Sequence, residues 1–113
     1  MHAAPSPPDI GLVMRTLADP TRRSVYERLV QSGEAAVVEL TRMGSVSQPA
    51  VSQHLKTLRE AGLVAERRVG RTTRYRAQPE GLAPLIDWLD VYGVFWRDRF
   101  DTLKSVLKEI DPK

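Results

Sequence analysis

Ser47-Gln48-Pro49-Ala50-Val51-Ser52-Gln53-His54-Leu55-Lys56-Thr57-Leu58-Arg59-Glu60-Ala61-Gly62 is the stretch from which the fold is read. Ser47 is a good N-cap, Pro49 suits a first helical turn that needs no proline N–H, and Gly62 suits the position just past a helix C-terminus. Between them Val51, Leu55 and Leu58 recur at i, i+4, i+7, with Ala61 extending the stripe, so one face of this helix is buried. At 100° per residue Leu55 and Leu58 fall within about 40° of Val51, whereas Pro49, Gln53 and Lys56 fall on the far side, flanked by Ser52 and Thr57. The exposed face is thus short-chained and hydrogen-bonding at its start and cationic further on, at Lys56 and Arg59.

Directly after Gly62 the apolar period changes from 3.6 to 2. Leu63–Val69 and Thr72–Ala77 read as two strands, and Gly70-Arg71 between them is a hairpin turn. Five of the ten residues from Arg67 to Arg76 are arginine: Arg67, Arg68, Arg71, Arg74 and Arg76. Upstream, Ala35–Met43 suits a short helix that Gly44 stops. A short helix, a glycine turn, a second helix and a basic hairpin follow one another as in a winged helix-turn-helix. The expected fold class is therefore mainly α with a small β-hairpin, about five helices plus a two-stranded wing, in a dimer.

The remaining elements frame this unit. Asp9–Ala18 carries Ile10, Val13, Met14 and Leu17 at helical spacing. Asp19-Pro20 starts a second helix that runs to about Val30 and ends at Ser32-Gly33. Pro79-Glu80-Gly81 breaks the chain, and Leu82 to about Ile110 forms the longest helix. Its apolar residues (Leu85, Leu89, Tyr92, Trp96, Leu103, Leu107 and Ile110) recur at spacings near three, four or seven, and Trp88, Phe95 and Phe100 widen the stripe. So much apolar surface exceeds what a 113-residue chain can cover by itself. Ile10, Val13, Met14, Leu85, Leu89, Tyr92, Trp96 and Leu103 are the expected dimer interface, with 9–18 and 82–110 as dimerisation helices. Trp88, Tyr92 and Trp96 could alternatively wall an aromatic effector pocket. Met1–Pro8, with three prolines, reads as a flexible tail preceding a single domain over 9–113.

Charge narrows the function. The whole chain carries +3, yet Arg42–Arg76 holds eight basic and two acidic residues, while the rest holds nine basic and twelve acidic ones. Basicity gathered in one segment is the footprint of a phosphate-bearing partner, although a solvated basic face looks the same from charge alone. Gln near a helix N-terminus can pair bidentately with adenine, Ser reaches base or phosphate, and the helix dipole favours phosphate. Ser47, Gln48, Pro49, Ser52, Gln53, His54, Lys56 and Arg59 are the candidate recognition-helix residues, set against an ordinary solvated face. Arg67, Arg68, Arg71, Thr72, Arg74 and Arg76 are the candidate wing contacts. Arg71 would enter a minor groove or clamp phosphate, and Arg74 and Arg76 would share a face toward phosphate. Protecting an edge strand with charge accounts for some of these arginines but not for one at the tip.

Residues 47–64, together with Leu17-Ala18-Asp19-Pro20-Thr21-Arg22-Arg23 and the Gly70-Arg71 and Tyr75 of the hairpin, resemble the ArsR/SmtB family of bacterial repressors. The resemblance covers about residues 10 to 78. It implies a dimer whose helix Gln48–Ala61 reads DNA, with a wing at Arg67–Arg76, occupying an inverted-repeat operator near a promoter. Many relatives sense metals through thiolates on the third helix or His and carboxylates on the last. Here the corresponding stretch Glu39-Leu40-Thr41-Arg42-Met43 lacks cysteine, and the last helix has Asp87, Asp90, Asp98, Asp101 and Glu109 but no His. The two histidines are His2 and His54, the latter read as structural or as a phosphate contact. The expectation is a metal-independent subgroup with no cofactor, and a small-molecule or protein effector that the sequence does not name.

Other functions fare worse. There is no Cys nucleophile, His–carboxylate cluster or phosphate-binding glycine loop for an enzyme. An A-form RNA major groove is too narrow for the helix. A winged-helix protein–protein interaction module remains the alternative, but such modules tend to lack a basic wing. With no secretory h-region and no stretch approaching the roughly 18 apolar residues of a membrane span, a soluble, cytoplasmic address is expected.

Overall fold

The computed structural model describes residues 9–42 and 44–110. The tail expected at Met1–Pro8, His2 within it, and Met43 lie outside the described residues. Five α-helices and three strands follow in the order α1 (Ile10–Ala18), α2 (Pro20–Ser32), β1 (Ala35–Ala36), α3 (Val37–Arg42), α4 (Gln48–Glu60), β2 (Val64–Val69), β3 (Thr72–Ala77) and α5 (Ala83–Ile110). A 3₁₀ turn at Pro79–Leu82 joins β3 to α5.

The junction of α1 and α2 shows how local chemistry sets the frame. Asp9 and Asp19 cap the two helices, the Asp19 carboxylate accepting from the Arg22 backbone N–H at 3.0 Å, with Pro20 in the first turn of α2. Arg22 and Arg23 then reach back: Arg22 Nε donates to the Thr16 carbonyl and Arg23 Nη1 to the Leu17 carbonyl, each at 2.7 Å. Two cations thereby satisfy carbonyls that the end of α1 leaves without partners. Sequence reasoning recognised the Asp-Pro start and missed the arginine caps, which depend on the bend between the helices.

The core is a single cluster. Leu29 of α2, Leu40 of α3, Val51, Leu55 and Leu58 of α4, and Leu63 just before β2 are fully buried around Val25 and Val13. Val13 was expected at a dimer interface, but it is 0% exposed within one chain and unavailable to a second. The reason is rotational: Val13, Thr16 and Leu17 form the inward face of α1, whereas Met14, about 100° away, stays 44% exposed.

The sheet has three strands rather than the expected two, in the order β1-β3-β2 and antiparallel throughout. Ala35 and Ala36, assigned from sequence to the start of the third helix, pair with Tyr75 and Arg74 instead, so α3 begins at Val37. Two alanines carry no strand signal of their own; the β3 edge recruits them. Near the base of the wing, Gly81 is buried against the C-terminal end of α4. A Cβ there would collide with the Gly62 carbonyl oxygen and lie 2.9 Å from Leu63 Cα, so the close approach requires glycine.

The last helix leaves the domain. Its 28 residues span about 42 Å, and only its first turns pack, Leu85 against the core. The radius of gyration is accordingly 18.2 Å, against about 13 Å for a compact domain of this length.

Candidate nucleic-acid interface

The helix-turn-helix pairs α3 with α4 across a turn in which the Gly44 N–H donates to the Thr41 carbonyl. The Arg28 guanidinium of α2 occupies the space a side chain at residue 44 would need. Ser47 caps α4, its hydroxyl accepting from the Ala50 N–H at 3.4 Å. With Val51, Leu55 and Leu58 driven into the core, the opposite face is set: Ser47, Gln48, Pro49, Ser52, Gln53, Lys56 and Arg59 are all exposed. His54 is half-buried on α4.

The wing turns where expected. Val69 pairs with Thr72, Gly70 takes a φ of +61°, and no other wing residue has positive φ, the pattern of a type II′ hairpin turn. Arg68 Nε ties back to the Gly70 carbonyl at 3.3 Å. Arg71 at the tip and Gln48 at the start of α4 line the same cleft of about 340 Å³, with Thr72, Thr73 and Tyr75 between them. The start of α4 and the wing tip therefore border one cleft.

Not every arginine expected at the interface is free to join it. Arg59 is bound to Glu66 at 2.6 Å, fastening the end of α4 to β2. Arg67 Nη2 and Arg74 Nε both donate to the same Glu34 oxygen, at 2.7 and 3.1 Å. Arg74 also donates to the Glu34 carbonyl and to Glu39. Arg74 was expected to share a phosphate-facing role with Arg76; the structure instead commits it to the junction of α2 with β1. Arg76 and Arg71 stay exposed, and among the described residues neither forms an ion pair with a carboxylate. Sequence reasoning missed Glu34 and Glu39 because they lie 40 and 35 residues before Arg74, and no local pattern links them.

The hydrogen bond from Arg67 holds the Glu34 carboxyl below its ordinary value of 4.5, helped by the charge of Arg74, and the Arg22 N–H lowers Asp19 similarly. A carboxylate with a depressed folded pKa binds fewer protons folded than unfolded, so its stabilisation is present above the ordinary value and lost as pH falls through the folded one. Thermal midpoints should therefore fall on acidification below about pH 4.5, and Glu34→Gln should flatten that dependence. An unchanged acid profile in the variant would remove Glu34 from the account.

The expected aromatic pocket is not formed by α5 alone. Trp88 and Tyr92 stack with ring centroids 4.9 Å apart on an exposed face, and Trp96 packs edge-on to Phe95. A cleft of about 460 Å³ lies elsewhere, between Tyr26 and Val30 of α2, Ala77 at the end of β3, and Leu82 and Ile86. Among the described residues no three His, Cys, Asp or Glu side chains gather to hold a metal, and the chain has no cysteine at all. No helix of the described residues is long and apolar enough to cross a membrane.

Residues 17–67 match the family model of a helix-turn-helix domain. The HTH-type transcriptional regulator Rv2034 of Mycobacterium tuberculosis is 51% identical over 76 residues, covering 67% of this chain and 70% of that one. An ArsR-like transcriptional regulator from Rhodococcus sp. RHA1 superposes with a TM-score of 0.68 at 30% identity, over 86% of this chain and 91% of the other. The chain belongs to the ArsR family. Its winged helix-turn-helix is the fold of this family of transcriptional regulators. A further structural neighbour is the homodimeric winged helix-turn-helix DNA-binding domain Mb0332 from Mycobacterium bovis, described as a possible ArsR-family transcriptional regulator. It matches with a TM-score of 0.60 at 30% identity, over 74% of this chain and 77% of that one.

Proposed function

We propose that this protein is a sequence-specific double-stranded DNA-binding repressor, acting as a homodimer on an inverted-repeat operator in the cytoplasm. The observation that carries the reading is the shared cleft between Gln48 and Arg71, which puts a hydrogen-bonding helix face and a cationic wing tip side by side. Ser52 and Gln53 would enter the major groove, Lys56 and Arg76 would neutralise phosphates, and Arg71 would reach the backbone or the adjacent minor groove. Dimerisation through α5 is supported by its uncovered apolar face: thirteen of the eighteen exposed large apolar side chains among the described residues lie on this helix. A two-fold axis would set two α4 helices about 34 Å apart, one DNA turn, and the homodimeric state of the Mycobacterium bovis neighbour agrees with that. No catalytic step belongs to this reading, and an effector, small molecule or protein, would act by shifting the spacing of the two α4 helices.

Fluorescence anisotropy on the DNA upstream of the protein's own gene, against a scrambled duplex across a salt series, tests it. Wild-type protein should prefer the operator and lose affinity steeply with salt. Gln53→Ala should cost about 1–3 kcal/mol on the operator alone, and Arg71→Ala should lower the salt slope by about 0.9. Sequence-blind binding that Gln53→Ala leaves untouched would refute base reading by α4; no binding at low salt would leave the protein-interaction module.

A further inference from the structure

Arg67 and Arg74 stand directly opposite each other on β2 and β3, on the hairpin face that also carries Arg76. Like charges in directly opposed cross-strand positions repel. Glu34, just after the Gly33 that ends α2, resolves the conflict: a single carboxylate oxygen accepts from both guanidinium groups. The carboxylate side chain is 25% exposed and Arg74 31%, whereas Arg67 is 61% exposed and within reach of solvent. Arg74 is held further by Glu39, whose Oε1 also accepts the Ala36 N–H at 3.0 Å at the start of α3. The acidic pair thus joins the wing to the first helix of the helix-turn-helix and cancels charge on its strands, leaving the tip cation outside the network.

We infer that Glu34 is a specificity-determining residue of the DNA interface, an internal counter-charge that withholds Arg67 and Arg74 from phosphate. Binding to any duplex grows with each phosphate neutralised, and that term is blind to sequence. A wing with all its arginines free would strengthen binding to random DNA and operator alike, diluting the contribution of base contacts from α4. Glu34 keeps the strand arginines for positioning the wing and leaves the backbone contact to the tip and to Arg76. The inference rests on the DNA-binding reading above and concerns which cations that reading uses.

The test is the salt dependence of binding to a random duplex for the full-length protein, alongside the operator. Arg67→Gln, an exposed change, should leave the wild-type slope where it is, because the charge it removes is already cancelled. Glu34→Gln should steepen the slope by about 0.9 for each arginine released, so that a fourfold rise in salt costs an additional 3- to 12-fold in random-duplex affinity. The operator-to-random affinity ratio should fall at the same time, and Glu34→Gln with Arg67→Gln should return about one contact's worth of slope. A slope lowered by about 0.9 in Arg67→Gln alone would overturn the inference, since Arg67 would then be a phosphate contact despite Glu34. So would Glu34→Gln weakening both duplexes with no change of slope, the signature of a scaffold residue. Wild-type protein with no salt-dependent binding would instead overturn the DNA reading, and this inference with it.

Discussion

Leu103→Asp should convert the protein from dimer to monomer in sedimentation equilibrium and weaken operator binding by about 100-fold or more, the advantage lost when two linked modules become independent. On a helical wheel Leu85, Leu89, Tyr92, Trp96, Leu103, Leu107 and Ile110 fall within about 60° of one another. Beyond Leu85 this stripe stays about half exposed among the described residues: Leu89 is 47% exposed, Trp96 46% and Leu103 51%. An apolar band running the length of a projecting helix exceeds what a monomer ordinarily leaves in water. A carboxylate placed in its middle would have to be buried unpaired for the dimer to form, and that opposes association. Ser105→Asp, on the opposite side of the same helix, is the control and should leave the dimer intact. A Leu103→Asp protein that remains dimeric would move the interface off this stripe.

Leu55→Ala should destabilise the fold by about 2–5 kcal/mol, read from the urea midpoint. The side chain is completely buried where α4 meets α2 and β2, and removing it leaves a cavity in a well-packed core. Against a typical total of about 5–15 kcal/mol, such a loss leaves a substantial unfolded population on mild warming. Gln53→Ala, two residues earlier and pointing to solvent, should change stability by less than about 0.5 kcal/mol while altering base preference. The pair separates the two duties of α4, which is a core element on one face and a reading head on the other. A Leu55→Ala protein as stable as wild type would show that the α4 seam is not the centre of the core.

How much of this could be read from residues alone depended on the range of the interaction. The α4 stripe, the caps at Asp19 and Ser47 and the Gly70 turn each arise from contacts within a few residues, so spacing and residue type reveal them. β1 was misassigned because its two alanines acquire strand character only when β3 is alongside. Val13 was misplaced because periodicity identifies an apolar face but not which neighbour covers it. Arg59, Arg67 and Arg74 looked like phosphate contacts because charge is visible in a sequence while its neutralisation by a distant carboxylate is not.

The sequence by itself determined the helix-turn-helix, the wing and the polar face of α4, since each follows from periodicity, caps and turn chemistry acting over one or two turns of chain. Only the tertiary structure decided which cations remain for a partner: Glu34 and Glu39 reach the wing across 33 to 40 residues, and a pairing at that separation exists only once α2, β1 and β3 have come together.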